Sequence, residues 1–444
     1  MKIIIVGAGE VGTYLAKLLS QENQDITLMD ENEENLNIPS HYEILTTVGS
    51  PTSIADLRSA GVKNADMFIA VTPEESVNMT ACMLATNLGA EKTIARISNN
   101  EYIHPTNMDF FSKLGVASLI CPETLAAYEI INAMKTPWSR QWWELAGGKL
   151  ILAGTKVRDN APIVNKFLYE FSKEEKFFHI VAIKRGDDTI IPHGSDQILS
   201  DDIIYYTTTP EHVNDIRILS GKSKIEINRI TIIGGSRIAL KVAELLPSHI
   251  QVKLVEKNKD KSYRIAERVE GNVMVINGDG RNTDFLIREN LRNCDAFIAL
   301  TENSETNILS CITAKSLGVP KTVAEVENLD YIKMAEKLDV GTVINKKLIA
   351  VSHIHRFMLN ADVSNVKCMT FANAEVAELV ARADSKITCK PVKDLNLPKD
   401  ITLGGMIRDG KAVMIDGNTT INTGDIVDVF CLNTAMHKIE DYFN

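Results

Sequence analysis

The chain has 444 residues and a formal net charge of −10. Its hydrophobic fraction of 45% and charged fraction of 24% are ordinary for a globular protein, and the length predicts roughly two to four domains. The acidic balance argues against non-specific binding to nucleic acid or anionic lipid. No apolar run reaches the ~20 residues that span a bilayer, and no signal peptide is evident, so we expect a cytoplasmic protein. The seven cysteines form no metal-ligand cluster and are interpreted as structural thiols in a reducing compartment.

An apolar strand and a glycine turn open the chain with KIIIVGAGEVG. Gly7 permits a tight turn out of the strand, and Gly9 lets the backbone approach a pyrophosphate. Gly12 lets the following helix pack closely against the sheet. The N–H groups of Glu10 and Val11 would lie at a helix N-terminus, where the helix dipole favours a phosphate. This pattern predicts a dinucleotide or adenine-nucleotide site.

An acid about twenty residues further on strengthens this prediction. Asp30 ends the second predicted strand and should accept hydrogen bonds from a ribose diol while repelling a 2′-phosphate, which favours NAD(H) over NADP(H). The alternative is an acid at a helix N-terminus. Arg96 ends the fifth strand and could reach a phosphate, a neighbouring subunit or a surface ion-pair partner. The predicted first site comprises Gly7, Ala8, Gly9, Glu10, Val11, Gly12, Asp30, Gly49, Ser50, Thr72, Pro73 and Arg96.

The same pattern occurs a second time, from RITIIGGSRIA onward. Here the turn reads Gly234-x-Ser236-x-x-Ala239, and Glu256 takes the place of the first acid. Glu325 stands where the first repeat has Arg96, so a cation has become an anion. The second site is therefore weaker, different in ligand, or only structural. Its predicted residues are Gly234, Gly235, Ser236, Arg237, Ile238, Glu256, Asp279 and Thr301.

Alternating strand and helix patterns predict an α/β fold with two Rossmann-like parallel-sheet domains. Each is followed by a small α+β domain with short strands and a hairpin turn, at 185–187 and at 409–411. The predicted domains are 1–122, 140–222, 227–346 and 364–444. In the first repeat the predicted strands are Lys2–Val6, Asp25–Met29, Glu43–Thr47, Met67–Val71 and Lys92–Ile97, with a helix at Glu75–Leu88.

Two further helices are predicted at 122–134 and 346–359, directly after the Rossmann-like domains. We call them the exit helices. Each carries an apolar face that either docks on a partner subunit or covers the next domain. The nine histidines are scattered, and no G-x-S-x-G, H-E-x-x-H or Walker lysine pattern occurs, so we expect neither an enzyme nor a metal site.

The two glycine turns, the segment VGSPTSIADLRSAGVKNADMFIAVTPEESVNM and the segment KTIARISNNEYI resemble the TrkA family. These are the regulatory subunits of bacterial Trk potassium uptake systems, built from tandem RCK (also called KTN) domains. The resemblance implies a homotetrameric ring on the cytoplasmic face of a TrkH- or TrkG-type membrane protein. It also implies that NAD(H), and ATP or ADP, bind at the Rossmann crevices and control potassium flux without chemistry.

Two other functions remain open. The first is an NAD-dependent oxidoreductase, which would need a proton donor or metal beside the nicotinamide. The second is a stand-alone ligand-sensing module without a Trk partner. The sequence does not decide which nucleotide is the signal.

Overall fold

The structure is a computed structural model that describes residues 1–20, 24–174, 177–355, 363–368, 374–432 and 436–443. The first Rossmann-like domain contains β1 (Lys2–Val6), α1 (Glu10–Ser20), β2 (Asp25–Asp30), β3 (Leu45–Val48), α2 (Ile54–Ser59), β4 (Met67–Ala70), α3 (Glu75–Leu88), β5 (Lys92–Arg96), α4 (Pro105–Lys113) and β6 (Ser118–Ile120). Its six strands are parallel in the order β3-β2-β1-β4-β5-β6. After the half-buried Lys2, residues 3–6 of the central strand β1 are apolar and buried, as a parallel strand covered on both faces requires.

Helix α5 (Pro122–Lys135) leads to a small antiparallel domain. That domain contains β7 (Gln141–Leu145), β8 (Leu150–Lys156), α6 (Leu168–Glu174), β9 (Phe178–Arg185), β10 (Asp188–Ile190), β11 (Ile203–Thr208) and α7 (Val213–Leu219). The strand order is β10-β9-β11-β8-β7. The predicted hairpin turn joins β9 to β10, with Gly186 at φ 58°.

The second Rossmann-like domain repeats the first. It contains β12 (Arg229–Ile233), α8 (Arg237–Leu245), β13 (Gln251–Glu256), α9 (Lys259–Ala266), β14 (Val273–Asn277), α10 (Thr283–Arg288), β15 (Ala296–Ala299), α11 (Ser304–Ser316), β16 (Lys321–Glu325), α12 (Leu329–Lys337) and β17 (Thr342–Ile344). Its order, β14-β13-β12-β15-β16-β17, is that of the first sheet. The duplication seen in the sequence is therefore a duplication of topology.

After α13 (Lys346–His355), a second small domain contains β18 (Val363–Cys368), β19 (Ala374–Val380), β20 (Ile401–Arg408), β21 (Lys411–Met414), β22 (Ile426–Leu432) and α14 (Met436–Phe443). Its antiparallel order is β18-β19-β22-β20-β21. Both small domains repeat one ion pair: Arg185 pairs with the buried Asp202 at 2.7 Å, and Arg408 with the buried Asp425 at 2.6 Å. The predicted fold class, parallel Rossmann-like domains with small α+β domains, is confirmed.

The third strand begins later than predicted. Residues Ser40–Tyr42 form a 3-10 turn, and Glu43 has φ 52°, a left-handed conformation that a strand does not accommodate. The strand therefore starts at Leu45 instead of Glu43. The strand-like signal of the sequence was correct, but the local turn shortens the strand.

The described residues form two compact units. The first contains the first Rossmann-like domain up to Leu125 together with α13, and the second contains the chain from Ala126 to Asn345 with the second small domain. Several apolar residues of α5 and α13 are buried within the chain, among them Ala126, Ile130, Val351 and Ile354, whereas Tyr128 of α5 is 50% exposed. These exit helices thus cover parts of their own chain. The predicted end of the second one, 356–359, lies outside the described residues.

Across the described residues, no helix combines the length and apolarity that a bilayer span requires.

Candidate functional site: two glycine turns

The first glycine turn is held by the backbone itself. Gly7 has φ 97°, donates its N–H to the Met29 carbonyl at 2.8 Å, and has no room for a side chain, because a Cβ would lie 2.8 Å from the Thr72 nitrogen. A Cβ on Gly12 would lie 1.9 Å from the Gly7 carbonyl oxygen. Around Gly9, by contrast, a Cβ would meet nothing within 4 Å. Gly7 and Gly12 are therefore required by the fold, whereas Gly9 leaves open space beside the helix N-terminus.

Asp30 lies beside this turn and binds it directly. Its Oδ2 accepts the Ala8 N–H at 2.7 Å, while Oδ1 accepts the Asn32 N–H at 2.9 Å and the Asn35 side-chain amide at 3.0 Å. A carboxylate has roughly four lone-pair sites, so about one remains for a ribose hydroxyl. Both predicted roles of Asp30 are thus compatible with its position, and ribose binding stays a prediction.

Gly49 and Ser50 lie at the same edge of the sheet. The Gly49 N–H donates to the Asp30 carbonyl at 3.0 Å, and the Ser50 N–H donates to the Asp56 carboxylate at 2.9 Å. A Cβ on Gly49 would lie 2.7 Å from the Met29 methyl, so the chain passes close to β2. Gly49 therefore adjoins Asp30, and Ser50 follows it, as expected for two residues of the predicted first site.

A buried asparagine, which the site prediction did not include, holds the edge between β4 and β5. Asn78 is fully buried, and its Oδ1 accepts the N–H of Thr72 at 2.9 Å and its hydroxyl at 2.7 Å. Its amide donates to the carbonyls of Thr72 and Arg96, both at 2.9 Å. Pro73 beside it is exposed. The repeated spacing from Thr72 to Asn78 and from Thr301 to Asn307 is the sequence signal that identifies this residue.

Arg96 forms an ion pair instead of projecting freely into the crevice. Its Nη2 lies 3.6 Å from Oε1 of Glu123, near the start of α5, and both side chains are mostly buried. The ion-pair alternative therefore describes Arg96 in this structure. At the corresponding positions of the second repeat, where β16 ends and α13 begins, the residues are Glu325 and Lys347. Glu325 thus replaces Arg96, and Lys347 replaces Glu123, so the two positions still carry opposite charges.

Lys347 also reaches the first glycine turn. Its Nζ lies 2.7 Å from Oε2 of Glu10, the first residue of α1. The Lys347 side chain is only 7% exposed, whereas that of Glu10 is 76% exposed. Helices α1 and α13 pack against each other within the first unit. The second exit helix therefore contributes a buried cation beside the N-terminus of α1 at the first glycine turn.

The second glycine turn has the same backbone arrangement. Gly234 donates to the Val255 carbonyl at 2.8 Å, and Gly235 donates to Oε2 of Glu256 at 2.8 Å. The Ser236 hydroxyl caps α8 by accepting the Ala239 N–H at 3.3 Å. A cavity of about 490 Å³ opens here, and its lining includes the predicted residues Gly234, Gly235, Ser236, Glu256, Asp279 and Thr301. The serine-containing turn thus retains a crevice.

The remaining two predicted residues of the second site, Arg237 and Ile238, are not among the residues that line this cavity. Arg237 is exposed and Ile238 is buried in the core, so Ile238 could serve a ligand only through its backbone N–H. Thr301 is held as Thr72 is, because Asn307 accepts its N–H at 3.0 Å and its hydroxyl at 2.7 Å. The Asn307 amide donates to the carbonyl of Glu325 at 2.8 Å.

Three cationic side chains line the second crevice: Lys257, Lys261 and Arg281. Burial alone would raise the pKa of the Glu256 carboxyl, but the N–H groups of Asn258 and Gly235 and the Lys261 ammonium together hold it below its usual value. Asp279 receives a bidentate ion pair from Arg281, which lowers its pKa, and Lys257 lies 3.2 Å from it. Within the described ranges, no group of three or more His, Cys, Asp or Glu side chains is placed to hold a metal ion.

Comparisons with known proteins agree with this architecture. The TrkA-N domain family matches residues 3–122 and 230–346, and the TrkA-C domain family matches residues 152–219 and 376–444. Among curated relatives, the Trk system potassium uptake protein TrkA of Vibrio alginolyticus is 31% identical and that of Haemophilus influenzae is 30% identical. These alignments cover 98% and 97% of this chain, and 96% and 95% of the respective relatives.

Solved structures share the fold at lower identity. The crystal structure of the GsuK RCK domain matches with a TM-score of 0.61 at 15% identity, covering 99% of this chain and 94% of that one. The GsuK channel bound to NAD gives the same TM-score at 15% identity, covering 100% of this chain and 78% of that one. With both of its domain families present twice and in alternation along its length, this chain belongs to the TrkA family.

Proposed function

We propose that the protein is the nucleotide-binding regulatory subunit of a Trk-type potassium uptake system. It would form a homotetrameric ring on the cytoplasmic side of a TrkH- or TrkG-type membrane protein and control potassium flux without consuming the nucleotide. The names of the relatives support a role in potassium uptake, and the duplicated crevices support nucleotide binding. GsuK structures bound to NAD and to ADP make these the nucleotides to test.

The observation that carries this proposal is the ion pair between Glu10 and Lys347. A pyrophosphate at the N-terminus of α1 would repel the Glu10 carboxylate and attract the Lys347 ammonium. Because Lys347 is buried, its electrostatic interactions are weakly screened. Nucleotide binding would therefore shift Lys347 toward the phosphate and move α13 with it.

Thermodynamic linkage between nucleotide binding and the conformation of the ring would couple this movement to the transporter. A nucleotide that binds one ring conformation better than another shifts the population by the difference in its binding free energies. Couplings of ~1–3 kcal/mol change the response of a partner roughly 5- to 150-fold. ATP, ADP and the NAD dinucleotides carry different charges at the phosphate end, so these three classes would favour the two conformations unequally. NADH and NAD⁺ share the same pyrophosphate and differ only at the nicotinamide.

Removing the ion pair is expected to uncouple nucleotide binding from transport. In Lys347→Met and Glu10→Gln, the nucleotide-dependent change in potassium flux should shrink at least about fivefold, the lower end of the expected coupling. Nucleotide affinity should change less, because the glycine turn itself is intact. The measurement is potassium flux in proteoliposomes that contain the transporter, with calorimetric affinities for each variant.

Lys113→Met is the matched control, since Lys113 is an exposed lysine at the end of α4 in the same unit. It should keep the wild-type response. If the Lys347 and Glu10 variants also respond to nucleotide as the wild type does, the ion pair has no part in coupling.

The two crevices are expected to differ in their selectivity against a 2′-phosphate. Where the first has Glu31 and Asn35 after its acid, the second has Lys257 and Lys261 after Glu256. The two lysines offset the repulsion between the second acid and a 2′-phosphate. We therefore expect NADPH to bind the first crevice at least about tenfold more weakly than NADH (~1.4 kcal/mol), and the second crevice with a smaller difference.

Calorimetric titration with NADH and NADPH measures this selectivity, and Lys261→Asn should restore discrimination at the second crevice. Equal discrimination by both crevices, unaffected by Lys261→Asn, would contradict the proposed difference.

The direct test of the regulatory role is potassium flux through the reconstituted transporter, with and without this protein, at saturating levels of each nucleotide. Flux that depends on both the protein and the nucleotide, with the nucleotide intact afterwards, supports regulation. Flux that is insensitive to the protein would favour a stand-alone sensor. Steady oxidation of NADH with a carbonyl substrate would favour the oxidoreductase.

A further inference from the structure

A second kind of cavity lies inside the second unit, between the first small domain and the second Rossmann-like domain. Its volume is about 310 Å³, at the lower end of the ~300–1,000 Å³ typical of small-molecule pockets. The segments around β7 and β8 and the linker after α7 line one side, and the segments around β16 and β17 line the other. The cavity shares no residue with the crevice at the second glycine turn.

The lining of this cavity is strongly basic. Six cations face three carboxylates, an excess of three positive charges: Arg140, Lys156, Arg158, Lys222, Lys315 and Lys321, against Asp159, Asp201 and Asp339. The whole chain, in contrast, is acidic at −10. The cavity is therefore locally positive in a protein whose net charge is negative.

The carboxylates do not neutralise all of these cations. Asp339 pairs with both Arg140 and Lys315, the latter at 2.7 Å. Asp201 pairs with Lys156 at 2.7 Å. No described residue forms an ion pair with Lys222 or Arg158, and both line the cavity.

Lys321 places a further buried amino group at the cavity wall. The residue is 3% exposed, and its Nζ donates to the Ser139 carbonyl at 2.7 Å and the Thr342 hydroxyl at 2.9 Å. Burial, followed by the charge of Arg140, lowers its pKa to about 7. Burial and the charges of Arg158 and Arg140 lower the pKa of Lys222 to about 8. Burial is the larger cause of both shifts, and the neighbouring cations add to it, so the positive charges around the cavity disfavour one another.

We propose that this cavity is a binding site for a small phosphate-bearing polyanion, separate from the two glycine turns. A polyanion would relieve the repulsion between the cations and replace their missing partners. The guanidinium of Arg158 offers the paired N–H groups that bind phosphate oxygens in a bidentate manner, and Lys222 adds a point charge. Because the wall comes from two domains, the bound anion would stabilise their junction.

The test is calorimetric titration of the full chain with inorganic pyrophosphate at constant ionic strength. Arg158→Ala and Lys222→Ala are each expected to weaken pyrophosphate binding at least about tenfold, whereas NADH affinity should be unchanged. Lys224→Ala is the matched control, because this nearby lysine is exposed and pairs with Glu226 at 2.7 Å. Its pyrophosphate affinity should stay within about twofold of the wild type.

Thermal melting tests the same proposal without relying on the heat of pyrophosphate binding. Pyrophosphate should raise the melting temperature of the wild type and of Lys224→Ala, and raise it less in the Arg158 and Lys222 variants. Since Arg158 is exposed, its replacement leaves the folded core intact. The proposal fails if pyrophosphate does not bind, or if it binds all four proteins equally, which would place it at the glycine turns.

Discussion

Gly12→Val is expected to abolish nucleotide binding at the first crevice and to destabilise the first Rossmann-like domain. The added Cβ alone would lie 1.9 Å from the Gly7 carbonyl oxygen and 3.2 Å from a methyl of Val71. Helix α1 must then move away from the sheet, and the turn that leads into it loses its geometry. Overpacking of this kind costs ~1–3 kcal/mol or more. Calorimetric melting and NADH titration measure both effects.

Gly9→Ala separates the loss of nucleotide binding from the loss of stability. Its methyl would meet no atom within 4 Å in the unliganded protein, so the melting temperature should stay at the wild-type value. The same methyl would stand where the backbone is predicted to approach the pyrophosphate, so NADH affinity at the first crevice should fall at least about tenfold. Wild-type NADH binding by Gly9→Ala would place the ligand away from this turn. At position 12 valine is a stronger test than alanine, because the second turn accommodates Ala239 at the corresponding place.

Asn78→Leu is expected to destabilise the first Rossmann-like domain by about 2–4 kcal/mol. Leucine fits the volume but leaves the N–H of Thr72 and the carbonyl of Arg96 without their buried partner, and each such loss costs ~1–3 kcal/mol. The edge of the sheet that carries Thr72 and Arg96 should loosen, with faster hydrogen exchange at the N–H of Thr72. Thermal melting with resolved transitions and hydrogen exchange are the measurements.

Two further variants sharpen this expectation. Asn307→Leu should produce a similar loss in the second Rossmann-like domain, because its hydrogen bonds to Thr301 and Glu325 are the same. Asn87→Leu is the control: Asn87 is exposed on α3 and bonds only to its own helix, so we expect a change within ~0.5 kcal/mol. If Asn78→Leu and Asn307→Leu lose no more stability than the control, the hydrogen bonds of the two buried asparagine side chains contribute little.

Local patterns were sufficient for the elements and for the glycine turns. An apolar strand followed by glycines at fixed spacing is compatible with few structures other than a strand, a glycine turn and a helix. Gly186 and Gly410 mark hairpin turns because most other residues disfavour their positive φ. The positions of Asp30 and Glu256 beside the turns were predictable, since each ends the neighbouring strand. Their hydrogen bonds to the N–H groups of Ala8 and Gly235 were not. The role of Asn78 was visible as a repeated spacing, but not its four hydrogen bonds.

Features that depend on long-range packing were not predictable from one sequence. An apolar helical face indicates that α13 is buried, but not that it packs on α1, more than 300 residues earlier. The ion pair between Glu10 and Lys347 follows from that packing. The basic cavity was equally unpredictable, because its cations come from distant segments of the chain. Arg140 and Lys321, for example, are brought together only by the tertiary fold.

The measurement that tests the central claim most directly is calorimetric titration of the purified protein with NADH, NAD⁺, ATP and ADP, followed by analysis of each nucleotide for turnover. The account predicts that nucleotide binds, remains chemically intact, and loses its first-crevice binding in Gly9→Ala. The stoichiometry per chain then decides whether the serine-containing second turn is also occupied. No binding by any of the four nucleotides, or their consumption during the titration, would contradict the account.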